Sequence, residues 1–315
     1  MSATYIINCL FHLAVVLVLP IWIIGIINRV KSLWAGRRGP RLNQVGFDLF
    51  RLLKKKPVYS TATSWVFPLA TEVVLATTLT ASLFSPIIPG FSPLSFEGDF
   101  VLFAYLLGLG KIFTMLGALD TASPFEGMGA SREATYSALA EPVLFLGLGT
   151  MVWASGATSF DLLVIPHGPP GLDIALRLSL AASFFMVLLI ESSRVPADDP
   201  TTHLELTMVH EVMILDHSGP ELAIVQYASA IKMTIMAGII ACILNPFSTL
   251  DGGFYFVLAP LASLVIMLLV AVAVGLVESL TARLRFRTMP FFTLAAFVLV
   301  LLSVIVVSAD RDLFK

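Results

Sequence analysis

Eight stretches of about 20 mostly apolar residues recur along the 315-residue chain, each long enough to cross about 30 Å of hydrocarbon as a helix. They fall at 5–27, 66–86, 100–119, 142–160, 172–191, 223–245, 254–277 and 290–308. A backbone in that medium must satisfy its N–H and C=O groups internally. The expected fold is therefore an all-α integral membrane protein, a bundle of about eight tilted transmembrane helices with cytoplasmic amphipathic helices, forming a single membrane domain over 1–315. Composition agrees, because 13% charged residues is about half the share found in soluble domains. The first run has no basic residue before it and no small-residue cleavage pattern after it, so it is expected to remain as a span.

Orientation follows from the lysines and arginines. Arg29, Lys31, Arg37, Arg38, Arg41, Arg51, Lys54, Lys55 and Lys56 crowd the segment between the first two spans. Alternate loops on the same side add Arg132, Arg194, Arg283, Arg285 and Arg287, so 14 of the 19 basic residues share one face. That face is expected to be cytoplasmic, with both termini outside. The net charge of -2 leaves no basic excess of the kind nucleic-acid binding requires. Cys9 and Cys242 lie inside apolar runs and read as small buried hydrophobes.

The cytoplasmic segments 28–65, 120–141, 192–222 and 278–289 separate these spans. In the first, Phe47 to Lys54 places its apolar residues on one helical face, as an interfacial helix does at an anionic leaflet. In the third, Thr202 and Glu205 stand in capping-box spacing and Gly219-Pro220 comes after them, which predicts a helix of about four turns between them. His203, His210 and His217 recur every seven residues there. Metal ligands on a helix prefer steps of three or four, so a polar helix face and a proton relay stand beside a metal site as readings.

Charges inside a span cost about 2.5–3.5 kcal/mol each unless paired or hydrated. Glu72, Lys111, Arg177 and Lys232 are such charges, and Glu72, Lys111 and Lys232 fall at depths that place them in one layer. Glu133, Glu141, Glu191, Asp198, Asp199, Glu205 and Glu211 gather at the cytoplasmic mouths of the spans, with Asp216 and Glu221 read as a solvated acidic face. The set reads either as buried structural ion pairs or as a proton pathway with titrations shifted by burial and by one another. The outward halves of the second, third and sixth spans hold no Asp, Glu, Lys, Arg or His, and Arg177 cannot readily exchange a proton. Charge is therefore expected to leave sideways, a water wire past Thr77, Thr78 and Thr80 being the alternative. No nucleotide-binding, metalloprotease or nucleophile-elbow motif occurs, so no catalytic residue is assigned.

Arg37-Arg38-Gly39-Pro40, Ser123-Pro124-Phe125 with Gly129-Ala130-Ser131-Arg132-Glu133-Ala134, and Glu191-Ser192-Ser193-Arg194-Val195-Pro196 with Thr202 to Glu211 after it resemble the subunit-1 (H subunit) family of respiratory complex I. Within it the chain is similar to the formate hydrogenlyase subunit 4 and hydrogenase-4 component C branch, and the similarity covers nearly the whole length. The resemblance implies a bacterial or archaeal cytoplasmic membrane. It also implies a base that docks hydrogenase-like large and small subunits and an Fe–S subunit, and that hands charge or protons to antiporter-like membrane subunits. No cofactor is implied in this chain, and a NiFe centre and Fe–S clusters are implied in the partners. Arg37, Arg38, Arg41, Arg132, Arg194, His203 and His210 are the residues expected at the docking face. Pro196-Ala197-Asp198-Asp199-Pro200 and Asp216-His217-Ser218-Gly219 depart from the quinone-using branch. A quinone-binding member of the complex I type and a stand-alone proton or cation transporter are the alternatives; a transporter predicts an internal repeat, and the sequence has none.

Overall fold

The computed structural model describes residues 3–163, 170–198 and 208–313, and no strand occurs among them. Eight helices are long and apolar enough to cross a membrane. In chain order the helices are α1 (Ala3–Trp34), α2 (Gln44–Leu53), α3 (Val66–Phe84), α4 (Asp99–Asp120), α5 (Pro124–Ser155), α6 (Phe160–Leu163), α7 (Pro170–Glu191), α8 (His210–Met213), α9 (Gly219–Leu244), α10 (Tyr255–Leu280) and α11 (Met289–Leu313). All but α2, α6 and α8 are the spanning helices.

The bundle is organised around α9, which packs on α1, α3, α7 and α10 and is buried on every side from Met233 to Ile243. Its sequence explains this position, since Ala228, Ala230, Ala237, Gly238 and Ala241 let neighbouring backbones approach, and in lipid it is close van der Waals packing that holds helices together. The Thr234 hydroxyl donates back to Ala230 O at 2.8 Å and leaves no donor unmet. At the far end of α9, Arg177 donates to the carbonyls of Ile243 and Asn245, both at 3.0 Å. These are C-terminal carbonyls that the helix itself cannot satisfy. Arg177 also pairs with Asp173 at 2.8 Å, so the deep arginine is a helix cap. Helices α3 and α4 form the tightest antiparallel pair, tied at their ends where Ser64 N–H and Oγ–H both donate to Asp120 at 2.7 Å.

Two elements differ from the pattern read in the sequence. Residues 124–141, separated there from the fourth span, are the first turns of α5, which runs unbroken into the membrane. Pro124 opens the helix at a position where proline costs nothing, and Gly156 ends it in a left-handed conformation that glycine adopts freely. The helix expected from Thr202 to Gly219 has its start outside the described residues. The described part is the short α8, and Gly219-Pro220 opens α9 instead of closing a helix, with Ser218 at the N-cap. A Gly-Pro pair reads as a stop after a helix and equally as a first turn before one, and here the apolar run on its C-terminal side decides. Helix α2 has no buried residue, and Lys54 lies over the Phe50 ring at 4.3 Å.

Candidate functional site

Four helices bring opposite charges together midway through the bundle. Lys111 of α4 donates to Glu191 Oε1 at 2.5 Å, and Lys232 of α9 lies 3.5 Å from the other oxygen of the same carboxylate. Glu141 of α5 adds a second carboxylate 3.6 Å from Lys111. Glu133, two turns earlier on α5, is buried and acts electrostatically on both lysines. Lys111, Glu133 and Glu191 are each at most 8% exposed and the Lys232 side chain is 16% exposed, so one buried and one half-buried ammonium group face two buried carboxylates. Removing one partner of such a set costs about 3–5 kcal/mol, because it strands a charge in low dielectric. Glu141 differs, with 43% of its side chain exposed.

A cavity of about 40 Å³ lies against this cluster, walled by Thr78, Lys111, Glu133, His210, Ser229 and Lys232 among others. That volume admits a few water molecules and lies far below the roughly 300–1,000 Å³ of organic-ligand sites. His210 closes it from the side of α8. Burial, helped by the nearby charges of Lys232 and Arg194, pushes this imidazole down to about 4. Helix α8 is held in place by Gly129, where an added Cβ would stand 2.4 Å from Val212, so only glycine permits the contact.

Asp198 is a clasp beside the cavity. It accepts the N–H groups of Val209 and His210 at 2.9 and 3.0 Å, and its other oxygen lies 3.4 Å from Arg283. Glu211 is half-buried on α8. Arg132 donates to Met208 O at 3.0 Å and Arg194 meets Glu278 at 3.4 Å, so both arginines have internal partners. Arg37, Arg38 and Arg41 are exposed. Asp199, His203 and Glu205 lie outside the described residues. Glu72 does not join Lys111 and Lys232: it is exposed on the outer side of α3, because the helix turn that buries Thr71 directs position 72 away.

Two carboxylates that matter to the fold, Glu278 and Glu126, were not singled out, and a third, Glu221, is buried where a solvated face was expected. Glu278 is buried between Lys31, at 2.8 Å, and Arg194, joining α1, α10 and the 192–198 loop. Glu126 accepts the Asp216 N–H at 3.0 Å. Glu221, read as part of a solvated face, is 6% exposed and accepts the Tyr59 hydroxyl at 2.5 Å, with His217 at 3.6 Å. The hydrogen bond to Glu221 raises the Tyr59 phenol above its usual range. The His217 ring stacks on Phe67 at 4.1 Å, and burial lowers its titration. Asp216 is exposed, as expected of a solvated face. A lone glutamate in the last turn of a long uncharged helix was the available signal for Glu278.

Comparison with known proteins places this geometry. Residues 7–309 match the family described as NADH dehydrogenase. Formate hydrogenlyase subunit 4 of Escherichia coli (strain K12) is 30% identical over 279 residues, covering 87% of this chain and 89% of that protein. Hydrogenase-4 component C of the same organism is 29% identical over 287 residues, with 89% and 88% covered. A chain in the solved structure of the membrane-bound sulfane sulfur reductase, an archaeal respiratory membrane complex, shares the fold at a TM-score of 0.79 and 19% identity, covering 95% of this chain and 98% of that one.

Proposed function

The chain belongs to the NADH dehydrogenase family, that of complex I subunit 1, and from that premise we propose that it is the membrane-anchoring and energy-coupling subunit of a complex-I-like oxidoreductase of the hydrogenase type. The observation that carries the reading is similarity to formate hydrogenlyase subunit 4 over 87% of the chain, in a bundle whose centre holds paired Lys111, Lys232 and Glu191. The exposed Arg37, Arg38 and Arg41 supply a docking surface for hydrogenase-like and Fe–S subunits, since charged patches fix orientation and register. The NiFe centre and Fe–S clusters belong to those partners. The basic face is the cytoplasmic one, in a bacterial or archaeal cell membrane.

In this reading the redox reaction alters charge near the docking face and the lysine–glutamate cluster answers by moving a proton. Glu191 is the hinge of that response, because two lysines share its oxygens. Glu141 hands charge to a neighbouring antiporter-like subunit from its half-exposed position. A quinone ring does not fit the 40 Å³ cavity at the cluster, and no step is assigned to one. The test is purification of the tagged chain in mild detergent, with identification of co-purifying subunits and metals. Hydrogenase-like subunits with nickel and iron are expected; a chain that purifies alone from its native membrane overturns the reading.

A further inference from the structure

Helix α1 carries a polar stripe that the ion cluster does not use. Asn8 and His12 stand one turn apart on it, 7% and 0% exposed. His12 Nε2 lies 2.8 Å from the carbonyl of Ser82 on α3. A carbonyl only accepts, so Nε2 carries the hydrogen and Nδ1 presents a bare lone pair, buried and without a partner among the described residues. Ser85 Oγ, fully buried nearby on the same end of α3, is also unpartnered, and the amide of Asn8 has no hydrogen bond among the described residues. The two buried unmet atoms, His12 Nδ1 and Ser85 Oγ, cost about 1–3 kcal/mol each unless water reaches them.

The stripe has a cavity at each end. Asn8 lines an open cavity of about 510 Å³ between the start of α1, the loop at Gly90 and Phe91, and Thr249. On α3, Ser82 is one turn from Thr78, which lines the small cavity against Lys111 and Lys232. Thr78, Ser82 and Ser85 stand at i, i+4 and i+7 and therefore share one helix face, about 10 Å long. The Thr78 hydroxyl donates to Val74 O at 2.7 Å and keeps its lone pairs for water.

We propose that Thr78, Ser82, His12 and Asn8 form an outer half-channel, through which protons pass between the lysine–glutamate cluster and the membrane face opposite the basic loops. Water delivers a proton to His12 Nδ1, the imidazolium forms, and Nδ1 returns the proton to water held against Asn8; one proton enters, one leaves, and no electron moves. The sequence concealed this route because the second, third and sixth spans lack ionisable groups in their outer halves, and the relay sits on the first. The proposal rests on the proton-carrying reading of the central cluster, and it adds a transverse exit to the lateral one.

The experiment is reconstitution of the full chain in liposomes with a pH dye inside and an imposed potassium diffusion potential. Proton entry above that of protein-free vesicles is expected, falling at least about tenfold in His12→Phe. Asn8→Leu, which plugs the outer end and leaves His12 in place, is expected to do the same and carries the test if His12→Phe does not fold. Wild-type entry equal to protein-free vesicles, or entry unchanged in the folded variants, overturns the half-channel. Glu191→Gln separates the two readings: flux that survives it and is lost in His12→Phe leaves the outer route standing and removes the central cluster from the path.

Discussion

Asp198 positions His210 through the backbone: its carboxylate accepts the His210 N–H at 3.0 Å and that of Val209 at 2.9 Å, while Arg283 holds its other oxygen. Replacing Asp198 with Ala strands two buried amide donors and one guanidinium, a loss of about 1–3 kcal/mol for each stranded group. The expected outcome is faster hydrogen exchange at Val209 and His210, with the amides of α9 unchanged. Equal protection of Val209 and His210 in Asp198→Ala refutes the clasp.

Glu191→Gln is expected to uncouple rather than silence the complex. The variant leaves Lys111 and Lys232 without their shared anion, and Lys111 keeps its looser pair with Glu141. Redox turnover with soluble donors is expected to stay within about twofold, while proton translocation in vesicles falls by about tenfold or more. Lys111→Met combined with Glu191→Met removes both charges together and is expected to be less destabilising than either single change.

Acid is expected to loosen α8. The folded state holds His210 at about 4 because burial and neighbouring cations oppose its charging, whereas in an unfolded chain it titrates near 6.5. Between those values the unfolded chain binds a proton that the folded one refuses. Stability is therefore complete above about pH 6.5 and falls as pH drops toward 4, by at most about 3 kcal/mol. His217, also lowered by burial, adds to the same slope. Thermal unfolding in detergent at pH 7 and pH 5 measures it, and His210→Leu flattens the difference.

Arg37→Glu together with Arg38→Glu is expected to release the peripheral subunits while the membrane chain still inserts. Both residues are exposed and contact nothing that the bundle needs, so the change reads docking alone. Native gel electrophoresis of solubilised membranes distinguishes the intact assembly from the freed base. Persistence of the full assembly at physiological ionic strength shows that docking lies elsewhere.

The spans were legible because eight apolar runs of sufficient length leave a chain few other folds. Lys111 and Lys232 were legible as deep charges that demand partners, but the layer expected for them held Glu72, whereas the carboxylates within 3.6 Å are Glu191 and Glu141, expected at the mouths of the spans. Glu72 shows the limit of that reasoning: depth along a helix is read from residue count, but the direction a side chain takes depends on how the helix is rotated in the bundle. The orphaned nitrogen of His12 was invisible for a related reason, since a single histidine in an apolar run announces no partner until the neighbouring helix is in place. The role of Gly219-Pro220 turned on the long apolar stretch after it, and the same dipeptide carries opposite meanings on the two sides of a helix boundary.

Helix α5 has a mechanical consequence. Its proline at 142 lacks the N–H that would close the turn onto residue 138, so the rod is regular from Pro124 to Ala138 and weakest in the turn that carries Glu141. The 15 residues before that turn span about 22 Å and carry Arg132 and Glu133 on one stiff segment, with Glu141 just past its end. Glu141 is thereby freed from the segment that grips α8 at Gly129, and its 3.6 Å gap to Lys111 is the looser of that lysine's two ion pairs. The weakest turn of the helix and the looser ion pair of the cluster thus fall at one residue.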